Sequence, residues 1–204
     1  MTSIPLFPLS KPLFPSGVLL LRIFEVRYLD MVKKCIADQS EFGVVALLSG
    51  NEIRTPEGHE ELATVGTMAR IEEWSSPMPG LFHVRCTGTT RFRLLSTEQG
   101  KYGLWSGQAE SIADDDEVSL PVALQASANK LGGLIAELQK EGLPADQMPI
   151  AAPFRLDECG WVADRWSEVL PMPLAQKLHL LALTDPVLRL ELVQQYLVDQ
   201  GLMP

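Results

Sequence analysis

In this 204-residue chain, reactive chemistry would have to come from few groups: His59, His83 and His179, the thiols Cys35, Cys86 and Cys159, the step Gly100-Lys101, and Ser106. The histidines are far apart, and none stands in the His-Glu-x-x-His spacing that gathers two imidazoles and a carboxylate at zinc. Gly100-Lys101 is followed by Tyr102 where a phosphate loop needs Ser or Thr, and Leu95 occupies the place of its first glycine. Ser106, in Gly103-Leu104-Trp105-Ser106-Gly107, has the wrong spacing for a nucleophile elbow. The run Asp114-Asp115-Asp116-Glu117 lacks the spaced oxygen ligands and glycine of a calcium loop, and reads as a solvated linker. His83, between Phe82 and Val84, reads as a sheet-face residue, and the cysteines as inert thiols without a neighbouring base. No catalytic residue, metal site or cofactor is expected.

What remains is apolar. Phe14 sits between Pro12 and Pro15, while Trp74, Met78, Leu81 and Phe82 surround Pro77 and Pro79. Large apolar groups in Pro-rich, loop-like segments suit an exposed patch for extended or unfolded peptide, because aromatic and Met anchors are enriched where proteins meet partners.

These groups must be positioned by elements legible from periodicity. Ile4 to Phe7 and Val18 to Leu21 are short apolar runs separated by Pro8, Pro12, Pro15 and Gly17, which suits strands joined by a rigid connection. Phe24, Tyr28, Met31, Val32, Cys35 and Ile36 recur at helical spacing, with Glu25, Arg27, Asp30, Lys33 and Lys34 mostly on other faces. Phe42 to Leu48 is a continuous apolar run, expected to be a strand buried on both faces. Ser49 to Thr64 reads as a polar loop; Val65 to Trp74, Leu81 to Cys86, Arg91 to Leu95 and Tyr102 to Ile112 read as strands, with turns at Ser75 to Gly80 and at Gly88. Several short strands at such spacing predict a barrel-like or strongly curved sheet.

After Glu117 the period changes from 2 to 3.6. Leu120, Leu124, Ala128, Leu131, Ile135 and Leu138 share one helical face. Asp157 is placed to cap a helix carrying Cys159, Val162, Trp166 and Val169, which Pro171 stops; Pro173 opens another with Leu174, Leu178 and Leu181. Asp185-Pro186 starts the last, with Val187, Leu190, Val193 and Leu197. Strands first and helices afterward define an α+β chain, with a β-rich lobe over 1–117 and a helical lobe over 118–204.

Composition narrows the function. A net charge of −9 and a pI near 4.8 repel a phosphate backbone on average. An odd number of scattered cysteines fits a reducing, cytoplasmic setting, and neither a signal peptide nor a membrane span is expected from the first residues or from Val18 to Leu21, which Arg22 interrupts.

Three stretches carry a family resemblance. Ile4-Pro5-Leu6-Phe7-Pro8-Leu9, Leu13-Phe14-Pro15-Ser16-Gly17 and Leu21-Arg22-Ile23-Phe24-Glu25-Val26-Arg27-Tyr28 form an opening signature. Val65 to Ile71 and Gly88 with Arg91-Phe92-Arg93 follow, and Leu170-Pro171-Met172, Gln176-Lys177 and Leu183-Thr184-Asp185-Pro186 close it. In these residues the chain resembles the Lon amino-terminal, or substrate-binding, domain. The resemblance implies a PUA-like β-barrel lobe followed by a helical bundle, recognition of protein substrates, and ATPase and peptidase machinery in later domains that are not among these residues, as in a stand-alone member. It assigns no catalytic residue.

The resulting expectation is a non-catalytic protein-binding module for unfolded or client proteins, an adaptor in proteolysis or quality control acting with a separate protease. Its anchors are Phe14, Trp74, Met78, Leu81 and Phe82. One alternative is RNA binding through Arg70, Arg85, Arg91 and Arg93, against which the acidity stands. Another is a small-ligand protein or unrecognised hydrolase with its site between the lobes.

Overall fold

The computed structural model describes residues 2–53, 59–142 and 148–203. The fold is α+β, with a six-stranded sheet and five α-helices among the described residues, and divides into two compact units, 1–113 and 114–204.

The first unit holds β1 (Thr2–Leu9), β2 (Val18–Ile23), α1 (Val26–Asp38), β3 (Phe42–Ser49), β4 (Glu61–Met78), β5 (Leu81–Gln99) and β6 (Trp105–Ser111). The strand order is β2-β5-β4-β3-β1-β6, and β6 also pairs with β5, so five strands close on themselves and β2 lies outside the ring on β5. β1 and β3 are parallel; the other pairings are antiparallel.

β3 shows why the ring forms. Its residues Phe42 to Leu47 are all buried, and alternate side chains serve different cores. Val45 joins Ile4, Leu6, Phe92, Leu94 and Ala109, whereas Phe42 and Val44 join Tyr28, Met31, Val32 and Cys35 of α1. Gly66 makes room for the first cluster, since a Cβ there would stand 2.4 Å from the Val44 carbonyl oxygen and 2.6 Å from Phe92 Cζ.

Two expectations are corrected in β5. The segments Leu81 to Cys86 and Arg91 to Leu95 belong to one 19-residue strand, and Gly88 lies in mid-strand, not in a turn. A Cβ on Gly88 would approach the Phe14 carbonyl oxygen to 2.3 Å, so the glycine permits the 10–17 connection to cross the strand directly, with Ser16 N–H donating to Gly88 O at 2.8 Å. The expected loop is shorter than Ser49 to Thr64, because β3 runs to Ser49 and β4 begins at Glu61; its residues 54–58 lie outside the described ones. The last strand begins at Trp105 after a 3-10 turn over Lys101–Gly103.

The second unit contains α2 (Gln125–Lys140), α3 (Cys159–Val169), α4 (Leu174–Ala182) and α5 (Pro186–Asp199). Asp185 caps α5 as its sequence predicts, its Oδ1 accepting from Val187 N–H at 2.9 Å and Leu188 N–H at 3.1 Å. Glu158, not Asp157, is the N-cap residue of α3, and its side chain makes no capping bond.

The acidic run is not simply a solvated linker. Asp115 binds Arg189, which is fully buried, through Nη1 at 2.6 Å and Nη2 at 3.0 Å, while Asp164 of α3 accepts from Nη1 at 3.0 Å. Burial lowers the Arg189 pKa, but Asp164 and Asp115 outweigh it and the net shift is upward. Gly160 leaves the space that Asp115 fills, since a Cβ there would lie 2.5 Å from its Oδ2.

Candidate functional site

β3 stops pairing with β4 at Ala69, whereas β4 and β5 remain paired from Arg70↔Thr87 out to Met78↔Leu81. Beyond the ring, the hairpin therefore continues as an arm whose β4 half has one free edge. That edge tolerates Pro77, which cannot donate to a ladder, and the register shifts between Ser75 and Met78. Gly80, with φ of 79°, makes the tight return.

The arm carries Trp74, Met78, Leu81 and Phe82, four of the residues expected as apolar anchors. Trp74 and Met78 are 54% and 58% exposed; Leu81 and Phe82 are half-buried, and the Trp74 and Phe82 rings stack tilted with centroids 5.9 Å apart. Phe82 packs at the rim of the α1-side core, so the pair extends that core's apolar stripe into solvent. Phe14 does not belong to the patch. It is completely buried, because the 10–17 connection turns its apolar residues inward beneath Gly88. The structure thus brings together four of the five expected anchors.

Below Trp74 lies a cleft of about 380 Å³ lined by Cys35, Ile36, Gln39 and Ser40 at the end of α1 and by Arg70, Ile71, Glu72 and Trp74 of β4. Its mouth is polar: Arg70 pairs with Glu72 at 2.8 Å. Its floor includes the Cys35 thiol, whose pKa is raised by burial, which keeps it protonated and poorly nucleophilic. Cys86, deeper in the same core, is pushed up to about 12 by burial, and Cys159 in the second unit is also raised by burial.

A second depression of about 360 Å³ is lined in part by His59, Glu60, Leu94, Ser96 and Trp105. Its buried carboxylate already has internal partners. Glu60 accepts from Trp105 Nε1 and pairs with Arg27 Nη1 at 3.4 Å; Arg27 also binds Glu25 at 3.2 Å and the Gly103 carbonyl at 3.2 Å. Arg27, expected on a polar face of its helix, is 4% exposed. The local pattern missed it because its partners Glu60 and Gly103 lie 33 and 76 residues away.

The basic residues do not form an open strip. Arg70 pairs with Glu72, and Arg85 with Glu73 at 3.8 Å; Arg91 is buried with Nη2 donating to the Ala113 carbonyl at 3.0 Å. Arg93 is exposed in register with Glu110. Among the described residues no group of three or more His, Cys, Asp or Glu could hold a metal ion, and no helix is long and apolar enough to cross a membrane.

The first unit thus closes its sheet, exposes Trp74 on an arm and pairs its buried Arg27 with Glu60. Residues 3–199 match the family model of the ATP-dependent protease La (LON) substrate-binding domain, and the chain belongs to that family. Among solved structures it is similar to a Lon N-terminal domain protein from Xanthomonas campestris, with 31% identity and a TM-score of 0.72 over 96% of this chain and 99% of that one. It also shares the fold of the N-terminal domain of a Mycobacterium avium complex Lon protease, with 16% identity and a TM-score of 0.60 over 97% and 99%. No curated protein matches it significantly. The matched domain is the substrate-binding one, distinct from the catalytic domains of the protease.

Proposed function

We propose that the chain recognises extended apolar stretches of client proteins at the β4–β5 arm, through Trp74, Met78, Leu81 and Phe82. The observation that carries this reading is the exposed Trp74–Phe82 pair, placed on a chain whose family is defined by substrate binding. Half-exposed aromatic and Met side chains contribute most when a partner completes their desolvation. The β4–β5 ladder gives the arm a preformed strand geometry, which lowers the ordering cost of binding. In this reading the β-rich lobe is a PUA-like barrel that presents the arm, and the helical lobe is a bundle. The module works in the cytoplasm, without cofactor, as an adaptor that delivers clients to a separate protease or quality-control factor. Nucleic acid and membrane are not its partners.

The test is a peptide array and client pull-down with wild type, Trp74→Ala and Met78→Ala. We expect each substitution to weaken capture about tenfold, as for an interface anchor of about 1.4 kcal/mol. Equal capture by all three would remove the arm from the binding site.

A further inference from the structure

β2 is the open edge of the sheet. Among the described residues it pairs only with β5, in unbroken register from Val18↔Thr87 to Ile23↔Phe82. Gly88 N–H donates to Gly17 O at 2.9 Å, just before the strand. The alternation of an antiparallel ladder then directs the backbone groups of Leu19, Leu21 and Ile23 toward β5, and those of Val18, Leu20 and Arg22 outward. No described residue hydrogen-bonds those outward groups. Natural edges are usually blunted by lysines, prolines or bulges. β2, Val-Leu-Leu-Leu-Arg-Ile, has no lysine, proline or bulge, and Leu20 is 57% exposed.

The two faces beside this edge differ. On one, the half-buried Leu19 and Leu21 continue the apolar stripe that runs through Phe82 to Trp74. On the other stand Leu20, Arg22 and, across the ladder from Arg22, His83, all exposed; no carboxylate among the described residues pairs with Arg22. We infer that β2 receives an added strand from a client polypeptide, a segment with apolar residues at alternate positions and an acidic residue between them facing Arg22. The inference rests on the proposed client-binding role and gives it a mode: main-chain bonds supply sequence-tolerant affinity, while the two faces select the alternation. A second copy of the chain suits the edge less well, since its own β2, Val-Leu-Leu-Leu-Arg-Ile, offers Arg22 no acidic partner.

The probe is a fluorescein-labelled seven-residue peptide of alternating valine and glutamate, followed by anisotropy, against the same peptide with lysine for glutamate and one N-methylated at alternate amides. We expect the glutamate peptide to bind, and N-methylation in one of its two registers to weaken binding about tenfold through loss of edge hydrogen bonds. Arg22→Glu should reverse the preference between glutamate and lysine peptides while leaving the thermal melt unchanged. Leu20→Pro should weaken binding similarly; it removes an outward N–H, and its circular dichroism reports whether β2 persists. Binding lost in Trp74→Ala but indifferent to N-methylation and to Arg22→Glu would overturn strand addition and leave the arm reading standing. No binding of either peptide, together with equal client capture by the arm variants, would overturn both. A dimer in sedimentation that Leu20→Pro dissolves would reassign the edge to self-association.

Discussion

Replacement of Asp115 by alanine offers a direct test of how the second unit is held together. Arg189 has five N–H donors, and each has a partner: Nε donates to Leu180 O at 3.1 Å, Nη1 to Asp115 and Asp164, and Nη2 to Asp115 and the Leu183 carbonyl. The alanine removes two of these bonds and one of two counter-charges from a guanidinium with no exposed surface. A hydrogen bond to a charged group contributes about 1.5–3 kcal/mol, and breaking a buried ion pair from one side costs about 3–5 kcal/mol. Asp115 itself is 17% exposed, so water takes over part of its role, and a loss of about 3 kcal/mol is expected. Asp115→Asn, which keeps one acceptor, should lose about half of that. The assay is urea unfolding followed by the fluorescence of Trp161 and Trp166, both buried in α3, in a background with phenylalanine at Trp74 and Trp105. A change within about 0.5 kcal/mol for Asp115→Ala would refute the reasoning and return the acidic run to a solvated linker.

Gly88→Ala should destabilise the first unit by about 2 kcal/mol, since its Cβ would stand 2.3 Å from backbone oxygen that cannot swing aside; an unchanged urea midpoint would contradict this. The thiols of Cys35, Cys86 and Cys159, all buried with raised pKa values, should resist Ellman's reagent at pH 8 in the native protein and react fully in denaturant. Cys86 also makes stability pH-dependent. Its native pKa of about 12 exceeds the ordinary 9.0, so its contribution is complete below pH 9 and is lost as pH rises toward 12, at about 1.4 kcal/mol per unit in equilibrium melts. Glu60→Gln should lower the stability of the first unit by about 2 kcal/mol in urea unfolding followed by circular dichroism with all native tryptophans retained, because Arg27, 4% exposed, loses a buried counter-charge.

Where a local pattern was enough, the sequence was a good guide. Asp185-Pro186 is a complete helix start within two residues, and the unbroken run from Phe42 required a strand with two buried faces. Trp74 and Met78 were legible as exposed residues because the Pro77-Pro79-Gly80 cluster beside them limits how far each can be covered. Phe14 had the same local signature and went the other way, since its burial is decided by β5, more than 70 residues along the chain. Asp115 and Arg27 were misread for a related reason: a charged residue's partner does not announce itself by spacing when it lies tens of residues away. The open edge of β2 depends on strand order, which periodicity does not encode.

The closure of the ring also sets a schedule for the nascent chain. β1 finds its antiparallel neighbour only when residues 105–109 exist, about a hundred residues after it has been made. At ribosomal speeds of about 5–20 residues per second, Ile4 and Leu6 wait on the order of 5–20 s for the ladder that completes their burial. During synthesis, the domain therefore passes through a stage at which strand residues destined for its core still lack their neighbours.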